Sequence, residues 1–198
     1  MSANIPEHSR LFIAIALPQE IKAELEKTQA VLRKALAHAR VSWTRPEQMH
    51  LTLRFLGNVE TQRLGALIEA VRAACLPFSP LQLRAKGVGF FPNLRFPRVA
   101  WASVNDPEQR LLAVQSAITR AVQDFTAEKP EENFTGHVTL ARIKRIKRSE
   151  TRELAKLAEG LQSHRFGEWT AAEVQLFRSE LSSEGARHTT LVKLPLAR

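Results

Sequence analysis

His50-Leu51-Thr52-Leu53 occurs a second time, 87 residues further on, as His137-Val138-Thr139-Leu140. Each copy reads histidine, apolar residue, threonine, leucine inside a run of strand-forming residues. In a strand, residues two apart share a face. His50 and Thr52 therefore project to one side, and Leu51, Leu53 and Phe55 to the other, where a core takes them. His137 and Thr139 repeat the arrangement, with Val138 and Leu140 behind. Two strands that each show an imidazole and a hydroxyl on the open face can bring two imidazoles to one cleft. A single His-x-Thr carries no such meaning, because threonine favours strands anyway and a lone histidine is as often a partly buried structural residue.

The surroundings of the two copies match as well. Leu11 to Ala16 is an apolar run of strand length, and Pro18 follows where a first helical turn tolerates it. Ile21, Leu25, Val31 with Leu32, and Leu36 then stripe one helix face. Val41 to Thr44 is a brief extended segment, broken by Arg45-Pro46 before the first His-x-Thr strand, which Gly57-Asn58 should end. A helix with Leu64, Leu67, Ile68, Val71 and Cys75 on one face runs to Pro77. The second half repeats this plan. Val99 to Val104 is an apolar strand, Asp106-Pro107 a helix start, and Leu111, Val114, Ile118, Val122 and Phe125 a helix stripe. A polar loop, Glu128 to Asn133, leads to the second His-x-Thr strand. Ser149 should then cap a helix with Leu154, Leu157 and Leu161 inward. Leu11 lies 39 residues before His50, and Val99 lies 38 before His137. The equal spacing predicts an internal duplication: one α+β domain over 1–198, made of two pseudo-symmetric lobes. Each is an antiparallel sheet with flanking helices, and together they enclose a central cleft. Leu81 to Pro97 links the halves as strand and loop. Val174 to Phe177 and His188 to Leu194 read as strands around a turn at Ser182-Gly185, extending a sheet.

Composition sets the outer limits. The 198 residues are 44% hydrophobic and 25% charged, the balance of a soluble globular chain. Lys and Arg outnumber Asp and Glu by 29 to 20, a net charge of +9 that suits an anionic partner, nucleic acid first. Cys75 is the only cysteine, which excludes an internal disulfide and a thiolate metal cluster and fits a reducing, cytoplasmic setting. Leu11 to Leu17 resembles a short signal sequence, but at seven residues it reads better as a buried strand. No stretch approaches the ~20 apolar residues of a membrane span.

Arginine placement stays open on pattern alone. Parity puts Arg54 on the His50 face, whereas Arg142, five residues after His137, nominally faces away. Lys144, Arg145, Lys147, Arg148 and Arg152 form the densest basic run, fit either to hold a nucleic-acid backbone or to be a solvated helix start. Trp43, Phe90 and Phe91 are either base-stacking residues or core. His188-Thr189-Thr190-Leu191 also spells His-x-Thr-Leu but lies outside the repeat, so a structural or cleft-edge role is expected. His8, His38 and His164 stand in polar or terminal contexts with no role indicated.

Across nearly its whole length the chain resembles the 2H phosphoesterase superfamily, and within it the RNA 2′,3′-cyclic phosphodiesterases, also called 2′-5′ RNA ligases. The likeness rests on Arg10-Leu11-Phe12-Ile13-Ala14, His50 to Gly57, Gly87-Val88-Gly89-Phe90-Phe91-Pro92, His137 to Arg142, and the hairpin at Leu176-Phe177. It implies a two-lobed fold, no metal or other cofactor, and hydrolysis of a terminal 2′,3′-cyclic phosphate to a 2′-phosphate on RNA such as tRNA fragments, by a monomer free of membranes. It also implies His137 as base, His50 as acid, and Thr52, Thr139 and Arg142 as phosphate ligands. The family's proline before the second histidine is Gly136 here, and a tyrosine common in the family is His188. Chemistry accords with this, because opening a cyclic phosphodiester needs an acid and a base near neutrality, and imidazole with a pKa of about 6.5 serves as either. Three alternatives remain: a 2H enzyme for a small-molecule cyclic phosphate, a non-catalytic RNA-binding module, and a metallohydrolase. The last lacks a His-Glu-x-x-His motif or an aspartate cluster.

Overall fold

The computed structural model describes residues 7–182 and 185–197. Of the expected turn at Ser182-Gly185, residues 183 and 184 lie outside the described residues. The apolar run near the start is β1 (His8–Ala16), buried from Leu11 to Ile15. In the same half follow α1 (Gln19–Ala35), β2 (Arg40–Trp43), β3 (His50–Glu60) and α2 (Leu64–Cys75). β4 (Leu81–Phe91) joins the halves. The second half has β5 (Val99–Asn105), α3 (Arg110–Ala121), β6 (His137–Arg145) and α4 (Arg148–Leu161). β7 (Arg165–Ala171), β8 (Glu173–Ser182) and β9 (Gly185–Pro195) complete the chain.

Every pairing is antiparallel. One sheet has the order β3-β1-β8-β9 and the other β2-β6-β5-β4-β7. Without β2 the two orders correspond strand for strand: a histidine strand, the apolar strand before it, then two more. β3 forms the edge of its sheet and runs beside β6 of the other, so the two histidine strands meet where the lobes join.

The helices are exchanged. α1 follows β1 of the first sheet yet packs on β7 and β6 of the second, beside α4. α3 follows β5 of the second sheet yet packs on β3 of the first, beside α2. β2 likewise belongs to the first half in sequence and to the second sheet in space. Their apolar stripes close one continuous core with Ile21, Leu25, Leu32, Leu67, Val71, Val114, Ile118 and Leu154 buried. Val31 is the exception: the helical stripe includes it, but it is 43% exposed because Thr28 and Gln29 take the buried positions on that turn.

Two local expectations change and a third holds. β3 does not end at Gly57-Asn58 but continues to Glu60. Opposite Leu11 and Phe12 its partners are Gly57 and Phe55, so Leu56 is an extra residue, a β-bulge that Gly57 accommodates at φ 64. Ser149 does not cap α4; Glu150 reaches back to the Lys147 N–H (3.1 Å) and also accepts from the His38 N–H (2.9 Å). Asp106 does serve α3, with its carboxylate accepting from the N–H groups of Glu108, Arg110 and Leu111 at 2.6–3.0 Å. Among the described residues no helix is long and apolar enough to cross a membrane.

Gly89 explains part of the Gly-Val-Gly-Phe-Phe-Pro stretch. Its partner across β4 and β5 is Trp101, whose indole lies where any Cβ on residue 89 would stand. Overpacking of this kind costs roughly 1–3 kcal/mol. Gly89→Ala is therefore expected to lower the melting temperature by several degrees in calorimetry, with loss of the Trp101 near-UV signal; an unchanged melting temperature would show that the indole can move aside freely.

Candidate active site

Both histidine strands carry the same defect at the same place. In β3, Ala14 pairs with Thr52 and Ile13 with Arg54, leaving Leu53 unmatched. In β6, Trp101 pairs with Thr139 and Ala100 with Ala141, leaving Leu140 unmatched. An extra residue shifts the alternation of faces beyond it. Leu53 and Arg54 are consecutively buried, as are Leu140 and Ala141. Past the bulges, Phe55 and Arg142 return to the face of the histidines. This overturns three readings from strict alternation: Phe55 is 47% exposed and lines the cleft, Arg142 lines it too, and Arg54 points away from it.

The result is a cleft of about 730 Å³ lined by His50, Thr52, His137, Thr139 and Arg142. His137 Nδ1 bonds to the Thr135 carbonyl at 2.7 Å. The His50 ring bonds to the carbonyl of Gln48, also two residues before it. Each imidazole is thus tied by one nitrogen to its own strand, which fixes the ring and leaves the other nitrogen for a ligand. Thr52, Thr139 and the Arg142 guanidinium make no hydrogen bond or ion pair with the described residues, so their donors are free for a bound anion. Arg10 and Arg45 add positive charge to the rim, against the single carboxylate of Glu128.

The two rings stand in unlike surroundings. His50 lies 4.7 Å from the Phe12 ring, which stacks on Phe177 at 5.0 Å. His188 meets both edge-on, at 5.3 Å from His50 and 4.9 Å from Phe12. The expected cleft-edge position of His188 is thus a direct contact with one of the paired imidazoles. Burial first, then the proximity of His188, pushes the His50 pKa down to about 4; the Gln48 carbonyl works against this. Burial also lowers His188. His137 faces the stacked pair Phe91 and Trp101, at 5.2 and 5.9 Å. Of the three aromatic candidates, Phe90 is core, Phe91 supports His137, and Trp43 lines the cleft with Arg33 over its ring at 4.4 Å.

Gly136 is not a loose joint before His137. Its carbonyl accepts from the Val104 N–H at 2.8 Å, and a Cβ there would collide with the Val104 carbonyl, so β6 starts hard against β5. Arg54 braces the loop that leads into β6, donating to the carbonyls of Lys129 (2.8 Å) and Glu128. Thr126 Oγ1 adds a bond to the Leu56 carbonyl at 2.7 Å.

The family profile described as LigT like Phosphoesterase matches twice in succession, over residues 15–101 and 103–188. The chain belongs to the LigT-like phosphoesterase family. The double match coincides with the two halves of the duplication. A Methanothermobacter thermautotrophicus relative named RNA 2′,3′-cyclic phosphodiesterase is 31% identical over 182 residues, covering 92% of this chain and 96% of the relative. The crystal structure of TT0787 of Thermus thermophilus superposes with a TM-score of 0.77 at 30% identity, covering 94% and 97% of the two chains. E. coli LigT complexed with 3′-AMP shares the fold, with a TM-score of 0.74 at 23% identity over 97% of this phosphoesterase and all of that chain.

Two residues of this phosphoesterase escape sequence reading because their neighbours are distant in the chain. Gln29 of α1 donates from its buried amide to the carbonyls of Leu140 (2.7 Å) and Thr44 (2.8 Å). Gln115 of α3, also buried, donates to the Leu53 carbonyl at 3.4 Å and to Thr119 at 3.1 Å. Each exchanged helix therefore holds the bulge of the opposite lobe. The one available signal is the repeat itself, since Gln29 precedes His50 by 21 residues and Gln115 precedes His137 by 22. Removing a buried hydrogen-bonding partner costs about 1–3 kcal/mol. Gln29→Leu is expected to lower stability by that amount in urea titration and to weaken phosphate binding by displacing Arg142. Full stability with unweakened phosphate binding would rule out the clamp.

Proposed function

We propose that the protein hydrolyses RNA 2′,3′-cyclic phosphate ends to 2′-phosphates by two-histidine acid–base catalysis. The observation that carries this reading is the mirrored pair of imidazoles, each anchored to the carbonyl two residues before it, facing one cleft with free threonine hydroxyls and Arg142. The relatives named RNA 2′,3′-cyclic phosphodiesterase support the substrate class. His137 takes a proton from water as its oxygen attacks phosphorus; the P–O3′ bond breaks, and His50 gives its proton to O3′. One proton is taken and one given, so exchange with solvent restores the pair. Thr52, Thr139 and Arg142 donate to the phosphoryl oxygens, with the guanidinium suited to a two-point grip. The same groups in the same roles serve 2′-5′ joining when a 5′-hydroxyl replaces water, and by microscopic reversibility they exchange roles when that linkage is cleaved.

In the free protein His50 is neutral at pH 7, because burial holds its pKa near 4. To act as an acid it must gain a proton when the anionic phosphate arrives and favours its charged form. Titration calorimetry of the 2′-phosphate product near pH 6.5, in buffers of different ionisation enthalpy, should therefore show net proton uptake that vanishes in His50→Gln. Binding without uptake would remove His50 from the acid role.

His50→Ala and His137→Ala are each expected to lower kcat by ~10² or more, and the double variant by less than the product of the two. Near-normal turnover in either folded variant would end the two-histidine mechanism. All proton and charge roles are filled by side chains, so activity should persist in excess chelator. Loss on chelation, restored by one added metal, would favour a metallohydrolase.

A further inference from the structure

A second cavity, about 1050 Å³, opens where β6 leaves the cleft. Arg95, Phe96 and Arg98 reach it from the loop between β4 and β5. Lys144 and Arg145 reach it from the end of β6, and Arg148 and Arg152 from the first turns of α4. Its lining holds six cations and no carboxylate. None of the six forms an ion pair among the described residues. Phe96 is 63% exposed, the most open of the large apolar side chains among the described residues, with the Arg95 guanidinium over its ring at 5.4 Å. The loop is ordered by the Asn93 Oδ1 bond to the Phe96 N–H (3.0 Å) and by Arg98 donating to the Lys144 carbonyl (3.2 Å). Lys147, though central to the basic run, does not line the groove.

We infer that this groove binds the sugar–phosphate backbone of a single RNA strand on the 5′ side of the terminus that reacts in the cleft. The inference rests on the cyclic phosphodiesterase reading for its polarity. A 2′,3′-cyclic phosphate closes the 3′ end of a strand, so all remaining nucleotides must leave the cleft in one direction. β6 marks that direction. Arg142 stands in the cleft and Lys144 in the groove, two residues further on the same exposed face, about 7 Å along the strand. Uncompensated cations spaced along a groove suit successive phosphates. An exposed phenyl ring among them offers a base a surface to stack on, which an acidic protein partner would not require.

The test compares two charge-matched triple variants. One removes groove cations, Arg95→Gln, Arg145→Gln and Arg152→Gln. The other removes exposed cations outside it, Lys34→Gln, Arg120→Gln and Lys147→Gln. Binding is read by fluorescence anisotropy on an oligoribonucleotide of about six residues with a plain 3′-hydroxyl, at several salt concentrations, so the result does not depend on turnover. The groove variant should bind at least about tenfold more weakly and lose about two from its log–log salt slope, while the control changes by less than about twofold. Phe96→Ser alone should weaken binding about fivefold or more. The groove variant should still turn over a 2′,3′-cyclic mononucleotide at the unmodified rate. Equal losses in both triple variants, no loss in the groove variant, or equal loss on the mononucleotide would each overturn the inference. So would polyglutamate competing as well as RNA at equal charge, which would reassign the groove to an acidic protein. If the unmodified protein turns over no cyclic phosphate, the phosphodiesterase reading fails while the anisotropy result on the groove stands.

Discussion

Everything in the cleft depends on one extra residue in each histidine strand. Without Leu140 as a bulge, Arg142 would turn into the core of its lobe and the cleft would lose this guanidinium. Without Leu53, Arg54 would face the cleft and would no longer hold the loop that delivers His137. A bulge leaves a carbonyl that the ladder does not satisfy, and a buried carbonyl without a donor is costly. The Gln29 amide, together with the Thr44 N–H, meets that need in β6 and the Gln115 amide in β3, which is why two uncharged polar side chains sit buried in otherwise apolar helix faces.

The duplication does not make the two halves of the site alike. After the first bulge the cleft receives Phe55, and after the second it receives Arg142. The side with Phe12, Phe55 and Phe177 is apolar and desolvates His50, whereas His137 stands against Phe91 and Trp101. Two identical imidazoles thus stand in unlike surroundings, and the drier one, His50, holds a proton less readily than a solvated imidazole. A bound phosphate would offset that by placing negative charge beside it.

Much of this was legible in the chain. The repeat of His-x-Thr-Leu with matched flanking spacing implies the two lobes, the meeting of His50 with His137, and the threonines beside them. Strict alternation failed at one point in each strand, because neither Leu53 nor Leu140 looks different from a regular strand residue; a bulge is decided by what lies opposite. For the same reason Gly57 read as a strand end when it is the turn of a second bulge. Arg142 was favoured over Arg54 by family resemblance, against parity, and the bulge supplies the physical reason parity misleads. The helix exchange was invisible, since an amphipathic stripe reports that a helix is buried but not against which sheet.

That exchange has a consequence for how the two lobes cooperate. α1 is tied by sequence to β1 in the first lobe and by its buried glutamine to the bulge beside Arg142 in the second. α3 makes the reciprocal link. Each histidine strand therefore takes its shape from a helix of the other half, and β2 adds a third crossing by pairing with β6 while its next residue, Thr44, donates to the Leu140 carbonyl. A displacement of one lobe would pull on the bulge of the other. The separation of the two histidine strands is thereby set by buried hydrogen bonds and helix packing rather than by the cleft's own exposed side chains. This arrangement lets the cleft-facing donors of Thr52, Thr139 and Arg142 remain unpaired without costing the cleft its geometry.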